Sequence, residues 1–322
     1  MKSSNIGGQA VIEGIMMKNG DDYAVAVRKP DQEIEIKKDS YTGFTKGKKI
    51  LALPFIRGVF NFIDSMVLGM KTLTYSATFY EEEEEKEDAK PKTQEELDKE
   101  SAKKEKRDKI MMGCTVAVSI CLAVAIFMVA PVYIADVFRR FIPSHTVMSL
   151  IEGVIRIGIF VLYVTLIAQM KDIKRVFMYH GAEHKCINCI EHGLDLTVEN
   201  VRKSSKQHKR CGTSFMLFVM VVSIILFIFL PKMALLPRVI SRILLIPVIA
   251  GISYEFIKLA GRSESPVVNM LSKPGLWLQN LTTKEPDDTM IEVAIAAVEA
   301  VFDWRAYLDE NFPGWEKKEE QA

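Results

Sequence analysis

Residues 110–130 read IMMGCTVAVSICLAVAIFMVA and contain no charged side chain. An α-helix needs about 20 apolar residues to cross the hydrocarbon core of a bilayer, because each residue adds roughly 1.5 Å along the helix axis. A charge at mid-membrane costs roughly 2.5 kcal/mol or more, so charges are rare in such runs. The run therefore predicts a transmembrane helix, and it places the chain among integral membrane proteins.

Three further apolar segments follow, at 147–170, 213–230 and 239–259. The first of these carries Glu152 and Arg156 one helical turn apart, so the two charges can neutralise each other inside a bundle. The last also holds charged residues, and a buried helix of a soluble domain is the alternative there. We expect a mainly α fold: a polytopic membrane protein with about four transmembrane helices, an amphipathic helix and a small cytosolic α+β cap.

Basic residues crowd on one side of the predicted spans. Total charge gives no reason to expect a nucleic-acid partner, because 42 Lys and Arg face 41 Asp and Glu. The positive-inside rule assigns the basic side to the cytosol. We therefore expect a multi-pass protein of the cytoplasmic membrane, with both termini and segment 171–212 in the cytosol. The residues behind this orientation are Lys103, Lys104, Lys106, Arg107, Lys109, Lys171, Lys174, Arg175, Lys206, Lys209, Arg210, Lys258 and Arg262.

The membrane domain expected at 110–260 follows three segments of different character. Residues 1–50 alternate in the manner of short strands separated by Asn-Gly-Asp and Lys-Pro-Asp turns, which predicts a small cytosolic antiparallel meander. Residues 51–80 place apolar side chains at helical spacing beside a narrow polar stripe, which predicts an amphipathic helix at the membrane surface. Residues 81–109 have the composition of a charged linker.

Residues 261–322 are predicted to form a cytosolic helical tail. Thr289 and Glu292 have the spacing of a capping box, which would start a helix there. Such a helix has one apolar face, which we expect to dock on the N-terminal meander. That face consists of Ile291, Ala294, Ile295, Val298 and Phe302.

Residues 179–186 read YHGAEHKC and follow directly after the second predicted span. On a helix, His180 and His184 lie one turn apart on the same face, where both imidazoles can bind one metal ion. Glu183 stands beside the second histidine, so its carboxylate can act on water at that ion. This is the H-x-x-E-H order of one class of metallopeptidases. The segment predicts a divalent metal site, with zinc the expected ion.

The remaining ligands stay open at this point. An open, catalytic site would add a third ligand from His208, Cys211 or Glu255 to the two histidines. A closed, structural zinc site would instead pair the Cys-x-x-Cys of Cys186 and Cys189 with the His-x-x-Cys of His208 and Cys211. Alternatively, these side chains are ordinary polar groups of a loop.

Five separated blocks of the sequence point to a family. They resemble the DUF1385 or YqhQ-like family of bacterial membrane proteins, and they span nearly the whole chain. The resemblance implies a polytopic membrane protein and a metal-dependent enzyme. The blocks are GGQAVIEG at 7–14, YHGAEHK at 179–185, LTVENV at 196–201, RCGTSF at 210–215 and TKEPDD at 283–288.

Two departures from the family pattern bear on the ligands. Where the family commonly has His-Pro-Arg-Cys, this chain has His208-Lys209-Arg210-Cys211. Cys186 stands where the family usually has other residue types, which weakens the closed four-ligand site. The resemblance thus favours His180, His184, His208 and Cys211 as ligands.

The leading functional hypothesis is a metal-dependent membrane hydrolase that works at the cytosolic face. His180, His184 and His208 would bind the metal, Cys211 or Glu255 would complete the shell, and Glu183 would be the general base. The substrate would be a membrane-protein segment or a lipid headgroup. A membrane scaffold or assembly factor with a structural metal is the alternative. A transporter ranks last, and its intramembrane charges would be Glu152, Arg156, Arg242 and Glu255.

Overall fold

The computed structural model of the chain describes residues 2–85, 94–263 and 265–315. The chain folds into two compact units, each built from separated stretches of sequence. The first unit comprises Met1–Tyr80, Val161–Val222 and Leu245–Ala322, and the second comprises Glu81–Phe160 and Ser223–Leu244.

A four-stranded antiparallel sheet occupies the N-terminal part of the first unit. Its strands are β1 (Gly7–Val11), β2 (Gly14–Asn19), β3 (Asp22–Arg28) and β4 (Ile34–Ser40), and they neighbour one another in chain order. The meander predicted for residues 1–50 is thereby confirmed. Gly20 has φ +62° in the tight turn between β2 and β3, a conformation that glycine adopts without steric cost.

The rest of the described chain is mainly helical. The charged linker predicted at 81–109 falls partly outside the described residues, at 86–93, and its backbone is helical from Gln94 onward. The helices are α1 (Ile56–Glu85), α2 (Gln94–Val124), α3 (Ala130–Asp136), α4 (His145–Ile167), α5 (Lys171–Glu191), α6 (Val198–Lys203), α7 (Gly212–Ile228), α8 (Leu235–Ala260), α9 (Pro266–Thr282), α10 (Asp288–Val301) and α11 (Trp304–Asn311), with a π-helical turn at Ala125–Val129.

Three helical segments of the described chain are long and apolar enough to cross a membrane. They are Ile110–Asp136, His145–Ile167 and Leu236–Ala260. α7, at the position of the span predicted at 213–230, is apolar but has only 17 residues, fewer than the roughly 20 that a straight crossing needs. Three of the four predicted spans thus have the expected length and composition.

Segment 171–212 is not the loop that the sequence predicted. Half of it is the helix α5, and from Tyr179 to Glu191 nearly every side chain is buried. This helix packs against both the sheet and α10, which itself contacts β2 and β3, and Ile187 and Ile190 lie in the same apolar core as Ile15 and Ile291. Because this part of α5 is buried, its polar residues must find partners inside the protein. The predicted docking of the C-terminal helix on the meander is confirmed by the same core.

The predicted capping box at the start of α10 is wrong. The N-cap is Asp287, whose carboxylate accepts from the backbone N–H of Met290 at 3.0 Å. Thr289 donates its hydroxyl to the same carboxylate at 2.6 Å, and Glu292 pairs with Arg28. An aspartate placed at the N-cap satisfies a free N–H and carries a charge that the helix dipole favours.

The second unit buries three charged side chains, which we call the ionic cluster: Glu152, Arg156 and Arg242. Glu152 accepts from Arg242 through both carboxylate oxygens and from Arg156 at 3.2 Å. Arg156 also donates to the Ser223 hydroxyl at 2.7 Å. Both guanidiniums lie over the Phe227 ring, 5.0 and 4.6 Å from its centroid. The cluster is therefore satisfied largely by its own members and this ring, and the Nε atoms of Arg156 and Arg242 have no hydrogen-bond partner among the described residues.

Candidate metal centre

The two histidines of α5 lie side by side in the interior of the first unit. His180 and His184 are one helical turn apart, with ring centroids separated by 4.4 Å and ring planes inclined by 65°. The approach of α5 to the segment before α10 depends on Gly181, since a Cβ there would collide with the carbonyl oxygen of Lys284. A side chain at that position would push the helix away and displace both rings.

Each imidazole is fixed by a hydrogen bond to a backbone carbonyl. His180 Nδ1 lies 2.9 Å from the oxygen of Thr282, and His184 Nδ1 lies 2.7 Å from the oxygen of Lys206. A carbonyl can only accept, so both Nδ1 atoms carry the proton. In a neutral imidazole, the lone pair of Nε2 is then free to bind a metal ion. Metal-binding histidines usually have their tautomer fixed in this way, by a hydrogen bond from the other ring nitrogen.

The thiol of Cys211 completes a group that we call the His/Cys cluster: His180, His184 and Cys211. Its sulfur lies 3.3 Å from His180 Nε2 and 3.1 Å from the hydroxyl of Thr213. The ligand atoms of all three residues lie within 4.8 Å of one another. Two nitrogens and one sulfur at this separation are a donor set that suits a borderline cation such as Zn²⁺.

The electrostatics of the cluster favour a thiolate. Burial raises the pKa of the Cys211 thiol, but the imidazoles of His180 and His184 outweigh burial and lower it well below its usual value. Conversely, burial lowers the pKa of His180, and the Cys211 thiolate beside it outweighs this and raises it to about 9. Without an ion, the cluster is therefore held together by a proton shared between sulfur and nitrogen, and a divalent cation would replace that proton.

Glu183 lies beside the cluster with one oxygen unsatisfied. Its side chain is buried, and Oε2 has no hydrogen-bond partner among the described residues. Burial raises the pKa of this carboxyl. A Cβ on Gly8 would come within 3.0 Å of the carboxyl carbon, so the glycine of β1 leaves the room that Glu183 occupies. An orphaned buried carboxylate oxygen is costly unless a ligand or a proton satisfies it.

A cavity of about 490 Å³ opens beside the cluster, and His180, Glu183 and Cys211 form part of its wall. This volume lies in the range of sites that bind small organic ligands. The rest of the lining is mostly apolar and comes largely from α1, α5, α7 and α8, with Phe62, Val176, Phe177, Phe215, Met216 and Ile257.

Comparison with known sequences places the chain in a family. Residues 53–304 match the family described as "Protein of unknown function (DUF1385)". The chain belongs to the DUF1385 family. It is also 36% identical, over 307 residues, to "Uncharacterized protein YqhQ" of Bacillus subtilis (strain 168), with 95% of this chain and 94% of that protein covered. The resemblance seen in the sequence is thereby confirmed. No solved structure matches the chain.

Two of the predicted ligands of this DUF1385 member lie outside the His/Cys cluster. His208 has its ring 5.8 Å from that of His184, but its Nε2 faces the Glu191 carboxylate at 3.3 Å. Glu255 forms a two-pronged ion pair with Arg57, at 2.7 and 2.5 Å. Both side chains are thus engaged elsewhere, and the structure brings together three of the five predicted ligands.

The closed four-ligand site is also not assembled among the described residues. Cys189 donates its thiol to the carbonyl of Asp195 at 3.2 Å, away from the cluster. Cys186 is fully buried in the apolar core, and burial raises the pKa of its thiol well above the usual value. Both cysteines act as small core residues.

Several residues around the site were missed by the reasoning from sequence. Gln279 donates to the carbonyl of His208 and to the hydroxyl of Ser214, each at 2.7 Å, and accepts from the His208 N–H at 2.9 Å. Glu191 bonds His208 and Arg210. Gly8 and Thr213 lie in the GGQAVIEG and RCGTSF blocks that carry the family resemblance. Nothing in those blocks indicated a chemical role for either residue.

Proposed function

We propose that the chain is a multi-pass protein of the cytoplasmic membrane and a metal-dependent hydrolase with its site at the cytosolic face. Three helical segments of suitable length and composition support the membrane location, and α7 would be a fourth, short span. The distribution of lysine and arginine around these helices supports cytosolic termini and a cytosolic His/Cys cluster.

The observation that carries the metal site is the pair of Nδ1–carbonyl hydrogen bonds. They orient both Nε2 atoms of the His/Cys cluster and remove the need for either to donate elsewhere. His180, His184 and Cys211 would hold the ion, and three protein ligands leave a tetrahedral ion one open position, as in catalytic zinc sites. Bound there, such an ion would act as a Lewis acid that activates water at neutral pH.

Glu183 would serve as the general base and then as the general acid. Its unsatisfied oxygen is available to accept a proton from water, and burial raises its pKa toward the range in which a carboxyl both takes up and releases protons. The Gly8 backbone fixes the position of the carboxyl. Glu183 would then pass the proton to the leaving group of the substrate.

The cavity supports an amphiphilic substrate. Its lining combines the polar side chains of Glu183 and Cys211 with apolar ones such as Phe62, Phe215 and Met216. A lipid headgroup with part of its chain, or a short segment of a membrane protein, matches this division of polar and apolar surface.

Metal analysis combined with hydrolysis assays tests this function. The protein would be purified with zinc and compared with the His184→Ala and Glu183→Gln variants, using p-nitrophenyl esters and bis(p-nitrophenyl) phosphate in lipid vesicles as probes. We expect zinc in the wild type and in Glu183→Gln but not in His184→Ala. Turnover should fall roughly 10²- to 10⁴-fold in Glu183→Gln, the range for loss of a general base.

Each half of the proposal can fail separately. Equal zinc content in all three proteins would remove the metal site. Zinc binding without turnover of any probe would instead favour the scaffold hypothesis with a structural ion. His192→Ala is a matched control, because His192 is an exposed histidine of the same region and bonds only its own helix end.

A further inference from the structure

We propose that α9 lies in the interface of a lipid leaflet, and that this contact holds in place the backbone acceptor of the metal-binding His180. The proposal rests on the membrane location and the metal site proposed above. The sequence predicted this helix only as part of the cytosolic tail at 261–322.

One face of α9 is apolar and uncovered. Val267, Met270 and Trp277 are 61%, 60% and 57% exposed, and Leu271 is 46% exposed. Together with the exposed Pro274, they fall at helical spacing on one side, which we call the α9 apolar face. Soluble surfaces seldom expose so continuous an apolar stripe unless it meets a partner or a membrane.

The adjoining face of α9 is tied to the site and cannot turn outward. Ser272, Gly275, Leu278, Gln279 and Thr282 are buried there. Gln279 makes its hydrogen bonds to the backbone and side chains of the neighbouring elements, and a Cβ at Gly275 would lie 2.8 Å from the Ser214 hydroxyl. The helix therefore cannot bury its apolar face by rotation, so the cover must come from beyond the described residues.

Position and composition select a bilayer as that cover. α8, whose segment Leu236–Ala260 is a candidate span, ends just before α9, and only residues 261–265 separate the two. An extended connection of that length reaches at most roughly 20 Å, so α9 starts near the membrane surface if α8 crosses. Tryptophan at the water–lipid boundary and an adjacent lysine are typical of interfacial helices, and α9 has Trp277 and the exposed Lys273.

The same helix supplies a hydrogen bond to the metal site. The carbonyl of Thr282, its last residue, accepts from His180 Nδ1 at 2.9 Å. A leaflet beneath the α9 apolar face would restrict movement of this carbonyl and so keep the Nε2 lone pair directed at the cluster. Outer partners of metal-binding histidines contribute roughly 10- to 100-fold to metal affinity.

Tryptophan fluorescence tests the leaflet contact. The chain has three tryptophans, so Trp304→Phe/Trp315→Phe leaves Trp277 as the reporter. In phosphatidylcholine vesicles, we expect chains brominated near the headgroup to quench its emission and acrylamide in the water to have little effect. Quenching by acrylamide without quenching by brominated lipid would overturn the proposal. Protection from both, with a dimer in sedimentation, would also overturn it, because a second copy would then cover the face.

A second reporter separates this proposal from the membrane location itself. Leu244 is 72% exposed in the candidate span, so Leu244→Trp, in a chain whose three native tryptophans are changed to phenylalanine, reports on insertion. Quenching of this reporter by brominated chains, without quenching of Trp277, refutes the α9 contact alone. Absence of quenching at both positions refutes the membrane location as well.

The link to the metal is tested by zinc affinity in the same vesicles. Met270→Ser/Leu271→Ser changes only the α9 apolar face, and we expect it to weaken zinc binding by roughly 10-fold. The control that does not is Ile36→Ser, which changes an exposed apolar side chain of β4. Unchanged affinity in the double variant, when Trp277 of the wild-type face is quenched by lipid, would refute the link. Absence of zinc from the wild type would refute the proposed function instead.

Discussion

The His/Cys cluster of the first unit and the ionic cluster of the second are both buried, but they satisfy their polar atoms in opposite ways. In the ionic cluster, positive groups meet a negative one and an aromatic face, so the charges serve as one another's partners. In the His/Cys cluster, three groups that can all donate electron pairs converge on one another, and the outer nitrogens are held by carbonyls.

This difference indicates what each cluster is for. The Glu152 carboxylate is paired through both oxygens without a ligand, although such a buried cluster contributes less stability than its contacts suggest, because its ions lose their hydration. Convergent lone pairs repel unless a cation or a proton lies between them. Burial alone therefore does not identify a functional site. The charges of the buried groups, and whether their lone pairs converge on one point, do.

Metal-dependent stability should distinguish the clusters most strongly. Zinc at roughly 1,000 times its dissociation constant should stabilise the wild type by about 4 kcal/mol, and a chelator should remove that gain. Cys211→Ala should abolish the response, whereas Glu152→Gln should retain it. The measurement is the thermal midpoint in detergent as a function of free zinc. An equal zinc response in Cys211→Ala would show that the two clusters do not differ in this way.

Loss of the Glu152 charge should lower the stability of the second unit by nearly as much as removal of zinc lowers that of the first. Glu152→Gln leaves two guanidiniums buried without their counter-charge, which typically costs at least about 3 kcal/mol. We expect the lower end of that range, since Ser223 and Phe227 remain as partners. Denaturant unfolding in detergent micelles measures the loss, and zinc content should not change.

A matched variant sharpens this test. Removing all three charges, in Glu152→Leu/Arg156→Met/Arg242→Met, should restore most of the stability that Glu152→Gln loses, because no unpaired charge stays buried. A triple variant as unstable as the single one would mean that the cluster binds something beyond its own members.

Acid should weaken the first unit through Glu191, a group that lies outside the His/Cys cluster. Burial raises the pKa of Glu191, but His208 and Arg210 outweigh burial and lower it to about 2, below its usual value of 4.5. The contribution of ionised Glu191 to the free energy of unfolding is therefore complete above pH 4.5 and is lost as the pH falls toward 2. We expect Glu191→Gln to destabilise the chain by about 2 kcal/mol at neutral pH, and the gap to the wild type to close in acid. Unfolding curves with a chelator present give this comparison, and a gap that persists unchanged at low pH contradicts it.

The smallest effect is expected from the hydroxyl beside Cys211. Thr213→Val removes a hydrogen bond to the sulfur but preserves the shape of the side chain. Such a bond contributes about 1 kcal/mol, so zinc affinity should change by less than roughly 10-fold. Cobalt in place of zinc provides the readout, since the sulfur-to-cobalt absorption band should shift to lower energy. Absence of this band in the wild type would mean that the sulfur does not bind the ion, and an unshifted band would mean that the Thr213 hydroxyl does not bond the ligating sulfur.

The sequence carried most of the helical architecture, because long apolar runs and period-two strands are local signals. It placed even the end of α7, at Ile228, within two residues. It did not show the burial of α5, because the sheet and α10 that pack against this helix come from the two ends of the chain.

The candidate site was predictable to the same degree. The spacing of His180 and His184 is a local signal, and the structure places the two rings in contact. The choice among Cys211, His208 and Glu255 was not local. Glu255 is engaged by Arg57, 198 residues away, so no pattern near either residue could show that it lacks a free carboxylate.

The hydrogen bond from His180 to Thr282 joins residues that are 102 positions apart. During synthesis, the first histidine leaves the ribosome long before the carbonyl that orients it, and the last candidate span and α9 are made in the interval. The ring therefore acquires its final tautomer only when most of the polypeptide has been translated. Capture of the proposed metal ion should accordingly be one of the last steps in maturation of this chain, after all of its candidate spans have been synthesised.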